Sequence, residues 1–353
     1  MKPKVFCELH NLGLFHSLQL LFEKHLGYEL FRPIGISWFT ENFFKLAEPY
    51  GNNPATIAQF LEVNSASPDG KMRLNDVKKV SEGIYEFEDK SNNCTNKGIT
   101  LEQFKKEKFD IIIASIPQHI EPFKELIRLY QPQAKFIFQM GNIYWDKTVN
   151  FATVPNLMAS VQEFNVPNSC HSIFYHQDID TEIFYPQNKK HPNKDLVSFV
   201  NCLPQLGTIG TYMSLKQMLP EYRFLSYGIG CDNGIITGTQ NIANIMNQSY
   251  FGVHLKSGAD GFGAIIFGWY ACGKPVIVNG NDYADKLANE LLIDGETCID
   301  ADKHSTAEIV EMIRKMTPLQ YEYMAQQAYQ IFKDKVNYPE ELEKLKLFID
   351  TLK

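Results

Sequence analysis

Residues 252–278 read GVHLKSGADGFGAIIFGWYACGKPVIV. The apolar segment Gly252–Leu255 predicts a short strand, the glycine-punctuated stretch Ser257–Gly263 a loop, and the small, apolar Ala264–Cys272 a helix. Gly273 ends that helix, and Pro275–Val278 predicts the next strand. A strand–loop–helix–strand unit of this kind is the building block of a parallel sheet. Its loop delivers the carboxylate of Asp260 and backbone amides to a helix start. Such an end attracts anions, because N–H groups without helical partners and the helix dipole both point at the ligand. The segment therefore predicts a grip for a phosphate-bearing small molecule.

The same alternation extends to both sides. Towards the carboxyl end, Asp282–Leu292 predicts a helix, Thr297–Ile299 a strand, and Ser305–Lys315, 318–334 and 339–352 further helices. Before the motif come strand Leu196–Asn201, helix Ile209–Met218, strand Arg223–Tyr227 and helix Thr239–Asn247. In the first half, Lys4–Glu8 is a strand and Asn11–Ser17 contains the loop into an apolar helix, Phe15–Leu26. Strands follow at Tyr28–Arg32, Phe109–Ala114, Ala134–Gln139, Leu157–Val161 and Ser172–Tyr175, with an amphipathic helix at Ile120–Tyr130. FDIIIA at 109–114 lacks alternation, as expected of a strand buried on both faces. Residues 64–100 are polar and predict turns, at SASPDGK and DKSNNCTNKG. The polar stretch 186–194, PQNKKHPNK, is the best linker in the chain.

The bulk numbers bound the function class. The chain has 353 residues, enough for two domains, with 44% hydrophobic and 21% charged residues, as in ordinary globular proteins. Net charge is −7 and no run of Lys or Arg exceeds two residues. That gives no global footprint for nucleic acid or an anionic membrane. Seven scattered cysteines, without a CxxC pair, read as buried thiols in a reducing compartment. The amino terminus, MKPKVFCELHN, has no apolar signal-peptide core, and no apolar run reaches 18 residues. Cytoplasmic localisation is the expectation.

With two α/β halves and this motif, the chain resembles the GT-B glycosyltransferases, specifically the family 4 (group 1) branch. That family's signature, P-S-x-x-E-G-F-G-x-x-x-x-E-A-x-A-x-G-x-P-V, is matched by Ser257, Gly261-Phe262-Gly263, Ala271-Cys272-Gly273 and Pro275-Val276, while its two Glu positions hold Asp260, a shorter carboxylate, and Gly268. Tyr175–Pro186 (YHQDIDTEIFYP) is similar to its G-V-D-x-x-x-F-x-P segment, where the chain leaves the first domain. The likeness covers 170–335 by motif and 1–170 by architecture. It implies an α/β fold of two Rossmann-like domains facing a cleft, with C-terminal helices packing back on the N-terminal domain. The implied domains are 1–185 for the acceptor, 186–335 for the nucleotide sugar, and 336–353 as the returning helix.

The resemblance also implies roles. Asp260 faces the transferred sugar. Lys256, Ser257, Gly261, Phe262 and Gly263, with Thr208 and Gly228, bind the donor. The family's second signature carboxylate falls at Gly268. Its Arg/Lys pair after the first strand of the second domain has no counterpart in Asn201–Thr211, and Lys256 is the nearest replacement. On the acceptor side, Gly13 and Asn142 lie beyond strand ends, where open α/β sheets bind ligands. His16 and His119 are candidate catalytic groups, His119 as donor or proton acceptor for the acceptor hydroxyl. Each residue also has a local reading: Asp260 as a helix N-cap, Lys256 as a solvated strand-end lysine, Gly13 as a turn, His16 as a first-turn surface residue and His119 as a capping histidine. Asp178-Ile179-Asp180 is a DxD, a weak metal–diphosphate pattern, and no metal is expected. The aromatic cluster Trp38, Phe39, Phe43, Phe44 and Tyr50 suits stacking on an acceptor or plain core packing.

The expected function is a retaining-type transfer of a sugar from a nucleotide-diphosphate donor, with the donor as co-substrate and no cofactor. The acceptor is open among glycan, lipid, small molecule and modified nucleic-acid base. Two other readings stand beside it: a GT-B-shaped nucleotide-sugar-binding module without transferase activity, motivated by Gly268, and a nucleotide-sugar epimerase.

Overall fold

The computed structural model describes residues 2–9, 12–33, 77–89, 94–141, 147–187, 194–199, 209–228, 230–236, 238–256, 258 and 261–353. The chain divides into two compact units, Met1–Asp178 with Tyr338–Lys353, and Ile179–Asn337. The first crossing thus falls at 178/179, where the sequence reading set 185/186.

The first unit is built on one sheet. Its strands are β1 (Lys4–Cys7), β2 (Glu29–Pro33), β3 (Val77–Ser81), β4 (Ile84–Asp89), β5 (Cys94–Ile99), β6 (Ile111–Ala114), β7 (Lys135–Met140), β8 (Asn156–Ala159) and β9 (His171–Phe174). They are ordered β3-β4-β5-β2-β1-β6-β7-β8-β9. From β5 to β9 every pairing is parallel, while β3, β4 and β5 pair antiparallel. Because side chains alternate along a strand, β1, β6 and β7 feed two separate cores. Phe6, Ile112, Ala114, Phe136, Phe138 and Met140 enter one, with Phe104 and Phe123 from the helices Leu101–Lys106 and Ile120–Tyr130. Val5, Cys7, Ile111, Ile113 and Ile137 enter the other, with Phe15, Leu18, Leu21 and Phe22. This two-sided burial explains the unbroken apolar run in β6.

The C-terminal helix Tyr338–Asp350 belongs to this unit, and Leu345, Phe348 and Ile349 lie in the second core. The terminus is pinned by Asn156, whose Oδ1 accepts from Lys353 N–H at 3.0 Å. Only this last helix returns: Pro318–Lys335 stays in the second unit, where the Tyr321 hydroxyl donates to Tyr250 O at 2.6 Å.

Several elements depart from the sequence expectation, among them strands β3 and β4 inside the polar stretch 64–100. The helix expected from Phe15 already begins at Leu12, so Gly13 lies in its first turn rather than in a loop. A glycine there costs helix stability, against burial of Leu14, Phe15 and Leu18 in the same segment. The helix then widens to i→i−5 spacing over Leu20–His25, with Leu26 N–H bonded to Leu21 O at 3.0 Å. The expected turns within DKSNNCTNKG include strand β5, whose polar side chains hide its place between β2 and β4. Asp282–Leu292 is two 3-10 segments, Gly280–Tyr283 and Leu287–Leu291, separated by Lys286 in an extended conformation.

The second unit holds β10 (Asp195–Ser198), β11 (Arg223–Ser226), β12 (Phe251–His254), β13 (Val276–Val278) and β14 (Cys298–Asp300), all parallel, in the order β11-β10-β12-β13-β14. Its core joins Leu196, Phe251, Val253, Ile277 and Ile299 to helix residues including Tyr212, Leu215, Ile309, Ile313 and Tyr321. Capping boxes at Ser305/Glu308 and Thr317/Gln320 start its helices Thr306–Lys315 and Pro318–Lys335.

Candidate functional site

The 252–278 unit forms β12, a loop, the helix Ala264–Ala271 and β13. The glycines bring the pieces close. A Cβ on Gly252 would sit 2.5 Å from Cε2 of the buried Trp269, so the strand and its own helix touch only because residue 252 has no side chain. Gly263 is the helix N-cap, with φ +84, and a Cβ there would lie 3.1 Å from both Ala288 Cβ and Tyr283 Cε1. Phe262 is buried and stacks on Phe267, ring centroids 4.1 Å apart. At the start of the helix, Ile266 N–H donates to Gly263 O at 2.8 Å.

The loop is anchored from the segment after β13. Gly258 N–H donates to Asp282 Oδ1 at 2.7 Å. Asp282 Oδ2 lies 3.1 Å from the Nζ of Lys286, whose side chain is 2% exposed. That ammonium also sits 4.9 Å from the centroid of the Tyr283 ring. Tyr283 shares a hydrogen bond with His254 Nε2 at 2.7 Å, at the end of β12. His254, Asp282, Tyr283 and Lys286 were not singled out in the sequence. The one available signal was the acid–lysine pair at 282 and 286, spaced four apart.

Lys256 follows β12 by two residues and is half-buried. Gly261 borders Phe262 on the same loop. Gly228, with φ +142, closes a turn after β11, its N–H donating to Gly234 O at 2.8 Å. Gly228 follows β11, which β10 separates from β12 in the sheet. Gly268 is buried, and a Cβ on it would meet Met246 Cε at 3.2 Å and Phe184 Cε1 at 3.6 Å. Position 268 thus serves contact between helices. Asp260, Ser257, Thr208 and Asn142, and the aromatic cluster at 38–50, lie outside the described residues.

In the first unit, His119 ends a 3-10 turn, Pro117–His119, after β6. It stands at the N-cap of Ile120–Tyr130, but its side chain makes no capping bond. Instead Nδ1 meets Glu8 Oε1, and both side chains are buried. Glu8 Oε2 accepts from Ser115 N–H at 2.7 Å and Ile116 N–H at 3.1 Å. The sequence marks Glu8 only as the end of a strand. His16 is half-buried on the helix Leu12–Gln19, and Gly13 is exposed in its first turn. Gln139 lies inside β7, with Nε2 3.3 Å from both Ser160 Oγ and Tyr175 Oη.

Both carboxylates of the DxD have partners within the protein. Asp178 pairs with His25 Nε2 at 2.6 Å, and Asp180 Oδ1 accepts from Glu182 N–H at 3.1 Å. Among the described residues no group of three or more His, Cys, Asp or Glu could hold a metal ion, and no helix is long and apolar enough to cross a membrane.

Among solved structures, the whole chain matches HepE of Anabaena in complex with UDP, at 12% identity, over 100% of both chains, with a TM-score of 0.62. Sucrose-phosphate synthase from Thermosynechococcus elongatus matches at 11% identity over 98% of both chains, TM-score 0.58. An α-glucosyltransferase in complex with UDP and a 13-mer DNA containing a HMU base matches at 10% identity, over 99% of this chain and 100% of that one, TM-score 0.56. No protein-family model matches the chain, and neither does any curated protein. The two α/β units, one on a mostly parallel sheet and one on a fully parallel sheet, and these matches establish that the chain has the GT-B fold of glycosyltransferases.

Proposed function

We propose that the protein is a glycosyltransferase of the family 4 type, moving a sugar from a nucleotide-diphosphate donor to a hydroxyl-bearing acceptor with retention. The observation that carries this reading is the helix start capped by Gly263, with Gly258 held by Asp282, in a chain whose fold is matched by UDP-bound proteins. The donor belongs to the second unit and the acceptor to the first. The donor diphosphate rests on the amides that open Ala264–Ala271 and on Lys256, which stabilise charge as the sugar–phosphate bond breaks. Asp260 orients the transferred sugar, with Ser257, Gly261, Phe262 and Gly263 shaping its loop. Thr208 and Gly228 are the outer donor contacts. His119, His16, Gly13 and Asn142 serve the acceptor side. Positioning of two substrates and exclusion of water account for the rate. The donor is a co-substrate, no resident cofactor or metal is invoked, and the proposed compartment is the cytoplasm.

A panel of UDP-, GDP- and CMP-linked sugars tests this. One of them is expected to bind and to be slowly hydrolysed without acceptor, with Asp260→Ala lowering turnover by ~10²-fold or more. Absence of binding across the panel, or an unchanged Asp260→Ala, rejects the reading. A second reading has its own observation: Gly268 packs on Met246 and Phe184 and offers no carboxylate to a ribose. A nucleotide-sugar-binding module accounts for that position equally well. Calorimetry that finds tight nucleotide binding, with no turnover on any acceptor, selects it.

A further inference from the structure

We propose that the amino edge of the first sheet carries a second binding site, separate from the donor loop, for a phosphate-bearing molecule, and that Lys2, Lys106, Lys108 and Lys135 hold it there. The proposal stands independently of the transferase reading.

Strands β1, β6 and β7 lie side by side and start level with one another. Asp110 N–H donates to Lys4 O at 2.9 Å, and Lys135 N–H to Asp110 O at 2.8 Å. A cavity of about 810 Å³ opens at these strand starts. Its floor is apolar, from Phe109 and Ile111 around the start of β6, and from Ile349 and Leu352 at the end of the C-terminal helix. Lysines reach it from three segments. Lys2 and Lys4 come from the start of β1, Lys106 and Lys108 from the passage between the helix Leu101–Lys106 and β6, and Lys135 from the first position of β7.

The charges there do not cancel. Three carboxylates line the cavity: Glu107, Asp110 and Asp350. Glu107 is taken by the Lys4 ammonium at 2.6 Å, and Asp110 Oδ2 accepts from Lys4 N–H at 2.7 Å. The other four lysines are exposed and make no ion pair among the described residues. Lys106 ends a helix, where a cation complements the dipole. It also faces Glu82 and Glu102, which are already paired with Lys79 and Lys105. Lys2, Lys108 and Lys135 stand in no helix, so that local role does not account for them. Four ammoniums thus face only Asp110 and Asp350, in a chain whose net charge is −7. Gathering like charges costs stability through repulsion, and an anion seated among them relieves it.

The residue type narrows the ligand. No arginine lines the cavity. The planar arginine fork matches the two oxygens of a carboxylate, whereas ammoniums arriving from several directions suit a phosphate, whose oxygens point several ways. The apolar floor suits the uncharged body of a phosphate ester. A soluble phosphate ester and the headgroup of an anionic lipid share this chemistry.

Calorimetric titration of the full chain with inorganic pyrophosphate tests the soluble source. Co-sedimentation with phosphatidylglycerol vesicles, against phosphatidylcholine vesicles, tests the lipid source. At least one probe is expected to bind, and less tightly at high salt. The double variant Lys108→Gln/Lys135→Gln should weaken that binding by ~10-fold or more. Its unfolding midpoint should be unchanged, because both side chains are exposed. Lys333→Gln/Lys335→Gln makes the same change of charge on the second unit and should leave binding within about twofold. Asp350→Asn takes a carboxylate from the lining and should tighten it. Pyrophosphate bound at the donor loop is told apart by these variants, since a site there does not respond to Lys108 or Lys135. Binding of pyrophosphate alone identifies a free phosphate ester as the ligand, and binding of phosphatidylglycerol alone a lipid headgroup. Failure of both probes overturns the proposal. So does undiminished binding by Lys108→Gln/Lys135→Gln, or an equal loss in Lys333→Gln/Lys335→Gln, which marks a response to total charge and not to this cavity. None of these outcomes bears on the panel of nucleotide sugars.

Discussion

At Gly252 an added Cβ would fall 2.5 Å from the Trp269 indole, which is fully buried and cannot swing away. Gly252→Ala is therefore expected to cost ~1–3 kcal/mol, as overpacking does, read as a lower midpoint in thermal or urea unfolding. Gly263 is constrained differently. Its φ of +84 is strained for any L side chain, and Tyr283 and Ala288 close the space. Gly263→Ala should weaken both stability and binding of whichever nucleotide sugar the proposed panel identifies, whereas Gly252→Ala should act mainly on stability. Asp282 and Lys286 form the remaining residue-scale test. Lys286 is buried, so removing its partner leaves an ammonium without a counter-charge. Asp282→Asn is expected to cost ~3–5 kcal/mol. In a double-mutant cycle, Lys286→Met added to Asp282→Asn should recover part of that loss. Strict additivity of the two changes would show that the pair is not coupled.

At the scale of elements, the last helix is the clearest dependency. Tyr338–Asp350 follows the second unit in sequence but gives Leu345, Phe348 and Ile349 to the core of the first. Phe348 also stacks on His171, with ring centroids 4.7 Å apart. Phe348→Ala is expected to destabilise the first unit by ~3–5 kcal/mol, visible as a separate early transition in calorimetry. A single unshifted transition would contradict the division of the chain at 337/338. Helix and strand positions in the parallel cores were readable because two-sided burial writes unbroken apolar runs, as in β6 and β12. Strand β5 was not readable. Its CTNKGI sequence lacks an apolar pattern, and its place is set by backbone pairing with β2 and β4 on either side. The segment after β13 was misread for a related reason: its Asp282 and Lys286 serve the loop of another element, and the helix breaks at Lys286.

For the whole molecule, the thiols give a pH-dependent prediction. Six of the seven cysteines are described; Cys7, Cys170, Cys272 and Cys298 are buried as expected, while Cys94 and Cys231 are only half-buried, which corrects the expectation of buried thiols there. Burial, helped in Cys298 by the Asp294 and Asp300 carboxylates, pushes Cys272 and Cys298 up to about 12. A thiol whose folded value is raised contributes its stability in full below the unfolded value, near 9.0. That contribution drains away as pH climbs from there through about 12. Urea midpoints are expected to fall progressively above pH 9, by an amount that shrinks in Cys272→Ala and Cys298→Ala. Alkylation of the native protein at pH 8 should label Cys94 and Cys231 well before Cys272 and Cys298.

Read alone, the 252–278 segment determined that a parallel α/β unit stands in the second half of the chain, because glycine spacing and two-sided burial are local, periodic properties of a sequence. It also marked Gly263 and the helix start behind it. Only the tertiary structure decided which distant groups complete these places. Asp282 reaches Gly258, Tyr283 reaches His254, and Glu8 reaches His119 across 111 residues. Position 268 was likewise settled by packing, since Met246 and Phe184 come from other segments. Such pairings depend on strand order, and strand order is set by how whole faces of apolar surface are buried together, which no short window of sequence contains.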